Sequence, residues 1–107
     1  MKITAERATA MLLALDDIWR YARELDHVDP LPVPVLRWLR RHDLADYRPP
    51  DLNEMHPVGE WAASDAGLAL ADSFRDGRRS RDDVLAIMAG VVAGKSSTQI
   101  LTTEVSD

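Results

Sequence analysis

Residues 31–48 form the run LPVPVLRWLRRHDLADYR, in which two prolines open an amphipathic segment. Proline lacks a backbone N–H and has a fixed φ, so Pro32 and Pro34 fit only the first turn of a helix. The preceding His27-Val28-Asp29-Pro30 is typical of a turn. The sequence therefore predicts a helix that begins near Pro32.

The two sides of this helix differ in character when residues are placed at 100° intervals. The side predicted to face the core carries Val35, Leu36, Trp38, Leu39 and His42. Arg37, Arg40 and Arg41 fall together on the other side and are predicted to be exposed. Exposed charge is ordinary on a helix, so this side is either a binding surface or a solvated one, and the pattern leaves both open.

Two short strands are predicted after this helix, over Leu44–Arg48 and Gly59–Ala63, with turn chemistry in the intervening PPDLNEMHPV. Trp61 is predicted to be the core anchor of the second strand and to lie close to the inner side of the helix, because large aromatic residues dominate small cores. A further helix is predicted to open at Ser64-Asp65-Ala66-Gly67, since serine is a favoured N-cap.

Thr4 can cap a first helix, and apolar residues recur every three or four positions from Ala8 to Leu25. Periodicity does not decide between one helix and two. Asp16-Asp17 could cap a second helix, and we favour a break or bend there.

The C-terminal part contains one more predicted helix, over residues 81–93, for which Ser80 and Asp83 supply an N-terminal cap. Its apolar residues lie on more than one side and exceed what one packing face of a small monomer can hide, so this helix is predicted to be buried in a dimer interface. Residues 95–107 follow as a strand-like or flexible tail.

The order of these elements and the Asp-Ala-Gly helix opening resemble the winged helix-turn-helix superfamily, in the form found in small bacterial and phage transcription regulators. The resemblance covers roughly residues 6–75, and it requires a short second helix, which residues 17–26 would supply. It implies a mainly α (α+β) domain over residues 1–94, with four to five helices and a two-stranded wing. It also implies a homodimer through residues 81–93, because the element after the wing commonly forms the dimer interface in such regulators.

The resemblance makes the helix beginning at Pro32 the recognition helix, the third in the domain. Arg37, Arg40 and Arg41 would then enter the major groove of double-stranded DNA, where guanidinium groups pair with guanine. Three further arginines are predicted to meet phosphates: Arg20, Arg23 and Arg48.

Charge gives mixed support to a DNA-binding function. The formal net charge is −5, and phosphate binding depends on cationic side chains. Residues 18–48 nevertheless hold six arginines against five acidic residues, whereas residues 49–80 hold six acidic residues against three arginines. The positive charge is thus concentrated in the segment that would read DNA.

The acidic loop between the strands favours an alternative from another class, a winged-helix module that binds a basic protein, such as a phage or mobile-element inhibitor or adaptor. An acidic wing would be repelled by the DNA backbone. The residues that would carry protein binding are Asp51, Glu54, Met55, His56 and Glu60.

Other function classes find little support in the sequence. Cysteine is absent, the three histidines are not at metal-ligand spacing, and no nucleophile lies in a recognisable motif. We therefore expect no enzyme activity, no metal and no cofactor. The N-terminal segment contains no apolar run typical of a signal peptide or membrane span, which predicts a cytoplasmic protein without a membrane partner.

Overall fold

A computed structural model of the chain describes residues 2–51, 53 and 58–94. Four α-helices are present in this part: α1 (Ala5–Ala14), α2 (Pro32–Arg41), α3 (Asp65–Arg75) and α4 (Arg81–Val92). Three strands are β1 (Arg20–Tyr21), β2 (Ala45–Arg48) and β3 (Glu60–Ala63), and a 3₁₀ helix covers Ala22–Leu25. The strands form one antiparallel sheet in the order β1-β3-β2. This small α+β domain is compatible with a winged-helix layout without being specific to it.

The first helix begins as predicted, because the Thr4 hydroxyl accepts a hydrogen bond from the Arg7 N–H at 3.2 Å. It ends at Ala14, so the predicted break before Asp16-Asp17 is confirmed. The helix predicted over residues 17–26 is wrong, since β1 and the 3₁₀ helix occupy that segment.

Contacts with β3 explain why the segment after α1 is not an α-helix. The Ala63 N–H donates to the Asp16 carbonyl at 2.8 Å, and Arg20 pairs with Trp61 in the sheet register. The Asp16 carboxylate also accepts from the Ile18 N–H at 2.9 Å, which fixes a turn rather than a helix cap. The pairing adds a third strand to the sheet, where two had been predicted.

The helix predicted at Pro32 is confirmed over the whole of α2, with prolines in its first turn. Val35, Leu36 and Leu39 have no exposed side-chain surface, and Trp38 is 8% exposed. The predicted burial of Trp61 is also confirmed, at 5% exposure, and Trp61 belongs to the same core cluster as Leu39. The inner side of α2 thus holds the helix against the core and leaves its outer side to solvent.

The start of α3 is held against the end of α2 by two local features. The Ser64 hydroxyl accepts from the Gly67 N–H at 3.1 Å and donates to the Asp43 carbonyl at 2.6 Å. A side chain on Gly67 would collide with the Leu44 carbonyl. The Ser-Asp-Ala-Gly opening therefore allows α3 to pack directly on the turn between α2 and β2.

The predicted C-terminal helix is present as α4, and Ser80 and Asp83 form the expected capping box. Its apolar residues Val84, Ile87, Met88 and Val91 are all at most 5% exposed within this single chain, because α4 packs against α1 and α3. The premise of the predicted dimer, that a monomer could not hide these residues, is therefore wrong. Dimerisation itself stays a prediction, and the predicted tail over residues 95–107 lies outside the described residues.

Candidate functional site

The outer side of α2 presents a cluster of three cationic side chains, and we call Arg37, Arg40 and Arg41 the arginine face. All three are exposed, as predicted. Among the described residues, none of them forms an ion pair with a carboxylate. Together with Ile3 and Pro34 they line an open depression of about 560 Å³. The arginine face can therefore accept an anionic partner without first breaking an ion pair to any of the described carboxylates.

Within the arginine face, Arg40 has an aromatic neighbour. Its guanidinium carbon lies 5.3 Å from the centre of the Tyr47 ring on β2. The Tyr47 ring in turn lies 4.5 Å from the ring of the buried Trp61, its partner across the sheet. The sheet and α2 thus meet through Tyr47 and Arg40, and cation–π attraction favours this placement of the guanidinium.

The other three arginines predicted to contact DNA differ from the arginine face, because two of them form ion pairs with carboxylates. Arg48 donates to the Glu60 carboxylate at 2.6 and 3.2 Å and lies 4.9 Å from the Trp19 ring. Arg20 donates to the Asp16 carboxylate at 3.1 Å. Arg23 is exposed and lies 5.0 Å from the Tyr21 ring, with no ion pair among the described residues. Two of the three arginines predicted to contact phosphates, Arg20 and Arg48, are thus already bound to carboxylates of the protein.

The acidic wing predicted for the alternative function is only partly described. Glu54, Met55 and His56 lie outside the described residues. Asp51 is half-buried next to this gap. Glu60 is 7% exposed and bound to Arg48, so its carboxylate serves the sheet and is poorly placed to meet a basic partner.

Two carboxylates that follow α2 in the sequence lie beside Arg40. Asp43 and Asp46 are exposed, and they line a second depression together with Arg40, Trp19 and Tyr47. Asp43 adopts a left-handed conformation with φ 60° at the end of α2, which aspartate and asparagine tolerate better than most residues. These acids limit the positive potential at this end of the arginine face.

The turn before α2 is held by a partly buried ion pair that the sequence did not reveal. Arg7 donates to both carboxylate oxygens of Asp29, at 2.7 and 2.9 Å, and Asp29 is 4% exposed. Asp29 also accepts from the Leu31 N–H at 3.0 Å, directly before α2. The hydrogen bond from Arg7 holds the pKa of the Asp29 carboxyl below its usual range. This pair connects α1 to the start of α2 and so helps to orient the arginine face.

His42 lies at the end of α2, and its ring centre is 4.3 Å from that of Trp38. Burial, together with the positive charge of Arg41, lowers the pKa of His42. The neutral imidazole is therefore favoured near neutral pH, and His42 adds packing to this end of the helix and no further charge.

The described part of the chain has neither a candidate metal cluster nor a candidate membrane-spanning helix. There, no three histidine, aspartate or glutamate side chains cluster in a way that could hold a metal ion. None of the helices found over the same residues has the length and apolar character to cross a membrane. No protein-family model, curated protein or solved structure matches this chain.

Proposed function

We propose that this chain is a small winged-helix-type protein that binds double-stranded DNA and regulates transcription, with α2 as its recognition helix. The observation that carries the proposal is the arginine face, three exposed guanidinium groups on one side of α2 that form no ion pair within the described part of the chain. The order of elements along the chain also supports it, because α2 lies immediately before the antiparallel pair β2–β3, where the recognition helix of a winged helix is expected.

The major groove of B-DNA is wide enough to admit an α-helix, and it exposes the guanine O6 and N7 acceptors. A guanidinium group donates two parallel hydrogen bonds to that pair of atoms, which lysine cannot do. Arginines that meet phosphates contribute affinity by releasing condensed counterions. The proposal therefore predicts tight binding only at low salt, because the net charge of −5 opposes a nucleic acid at longer range.

The internal ion pairs narrow the proposed contact set. Arg37, Arg40 and Arg41 form its centre, and Arg23 is a candidate phosphate contact because it is exposed. Arg48 and Arg20 would have to leave Glu60 and Asp16 in order to bind phosphate. We therefore propose that Arg48 stabilises the sheet and that Arg20 stabilises the loop between α1 and β1.

The proposal is tested by measuring the binding of a fluorescently labelled pool of random duplexes at low salt, by anisotropy. Arg37→Gln, Arg40→Gln and Arg41→Gln should each weaken binding several-fold and reduce the slope of log K against log[salt]. Arg81→Gln is the matched control, since Arg81 is an exposed arginine at the start of α4 and its replacement changes the net charge equally.

Two outcomes would contradict the DNA-binding proposal. One is the absence of duplex binding at low salt. The other is an equal loss on replacing Arg81, which would mean that only net charge matters. If no duplex binds, and if the chain instead binds a basic protein and loses that binding when Asp51 and Glu54 are replaced, the protein-binding alternative replaces the DNA-binding proposal.

A further inference from the structure

The three side chains of the arginine face differ in how strongly their surroundings restrict them. Arg40 is the member of the face that lies over an aromatic ring, at 5.3 Å from the centre of Tyr47. No comparable ring contact restrains Arg37 or Arg41 among the described residues. The guanidinium groups therefore differ in conformational freedom although their charges are equal.

Tyr47 is itself held from two further directions. The Trp61 ring lies 4.5 Å away, at an interplanar angle of 48°. The end of the Tyr47 side chain lies over Gly59, where an added Cβ would collide with the hydroxyl and the adjacent ring atoms. Since Trp61 is 5% exposed and belongs to the core, the position of the Tyr47 ring is fixed by the folded sheet.

A restrained guanidinium is suited to reading a base edge. Bidentate pairing with guanine requires one orientation of the planar group, and a side chain already held near that orientation loses less entropy on binding. Phosphate contact has weaker geometric demands, because it is largely electrostatic. An unrestrained arginine can meet a phosphate from many rotamers.

We propose that Arg40 is the base-reading, specificity-determining residue of the arginine face and that Tyr47 is its positioning residue. Arg37 and Arg41 then serve as contacts to the phosphate backbone. This assignment rests on the proposed DNA-binding function and makes a finer claim about the same surface. The favoured target is a duplex that presents guanine in its major groove opposite Arg40.

The experiment begins with selection of duplexes from a randomised pool by the wild-type chain. Discrimination is then the ratio of Kd values for a scrambled duplex and the enriched duplex. Arg40→Lys and Arg41→Lys form a matched pair, because both keep the charge and remove the planar fork. Arg40→Lys should reduce discrimination by about tenfold, within the range expected for one bidentate guanine contact. Arg41→Lys should leave the ratio unchanged.

The positioning role of Tyr47 requires a readout that a general loss of stability does not change. Tyr47→Leu should reduce discrimination several-fold while affinity for the scrambled duplex and the salt slope stay unchanged. Tyr47→Phe keeps the ring and should retain discrimination. Gly59→Ala should reproduce the Tyr47→Leu result, because its methyl group displaces the ring. Thermal unfolding of each variant identifies any that has lost the fold.

Several outcomes separate this inference from the proposed function. If no duplex binds, both are overturned. If duplexes bind but none is enriched, or if Arg41→Lys removes discrimination and Arg40→Lys does not, DNA binding stands and the assignment of Arg40 falls. If Tyr47→Leu and Gly59→Ala remain folded and discriminate as well as the wild type, the positioning role of Tyr47 is wrong.

Discussion

The arginines of this protein fall into two sets with opposite uses. The arginines of one set bind other groups of the protein. Arg7 forms an ion pair with the buried Asp29, and Arg48 forms one with Glu60. Arg75 donates to the Leu13 and Leu15 carbonyls at the end of α1. The arginine face on α2 has no such partners among the described residues. The same side chain therefore stabilises the fold in one set and remains available for binding in the other.

The largest effect on the free energy of unfolding is expected at the Arg7–Asp29 ion pair. Asp29→Ala removes both hydrogen bonds to Arg7 and the one from the Leu31 N–H. It should lower the free energy of unfolding by about 1 to 3 kcal/mol, less than for a fully buried pair because Arg7 is 25% exposed. Urea unfolding measures this loss. A change under about 0.5 kcal/mol would mean that the pair is only a surface contact.

The effect of Asp29 should also depend on pH in a defined direction. Its pKa in the folded chain lies below the ordinary value, so the folded state binds fewer protons than the unfolded state. The stabilisation is complete above the ordinary aspartate pKa and is lost as pH falls through the lower folded value. The difference between wild type and Asp29→Ala in urea unfolding should therefore narrow between pH 5 and strongly acidic pH. A constant difference would argue against the ion pair.

A smaller effect distinguishes the two sets by a matched substitution. Arg48→Gln should lower the free energy of unfolding by about 1 kcal/mol, because it removes the hydrogen bonds that the guanidinium donates to the buried Glu60 carboxylate. Arg41→Gln should change it by less than about 0.5 kcal/mol, since Arg41 is exposed and has no ion pair among the described residues. Equal losses in thermal or urea unfolding would remove the distinction between the sets.

The smallest effect concerns the acids that border the arginine face. Asp46→Asn, alone or together with Asp43→Asn, should strengthen duplex binding by a few-fold, because each removes a negative charge beside Arg40. Asparagine also tolerates the left-handed backbone at Asp43. Anisotropy titrations at two salt concentrations measure the gain, which should shrink at higher salt. Weaker binding would indicate that these carboxylates contact the partner.

Local chemistry allowed a large part of α2 to be predicted from the sequence. Pro32 fixed its start, and the spacing of Leu39 against Arg37 and Arg41 fixed which side is buried. The caps at Thr4, Ser64 and Ser80 were likewise readable. These features depend on residues within one or two turns of each other, so their physics is contained in short segments.

The helix caps, the phase of α2 and the clustering of Arg37, Arg40 and Arg41 could therefore be predicted from the order of residues. Residues 20–21 form a strand only because the fold brings them beside β3. Hydrogen bonding to β3 outweighs the helical periodicity of this segment. The tertiary structure also decided that α4 is covered by its own chain and that Arg48 belongs to Glu60. These outcomes depend on which residues, far apart in the sequence, the fold brings into contact. The spacing of residues along the chain does not specify those contacts.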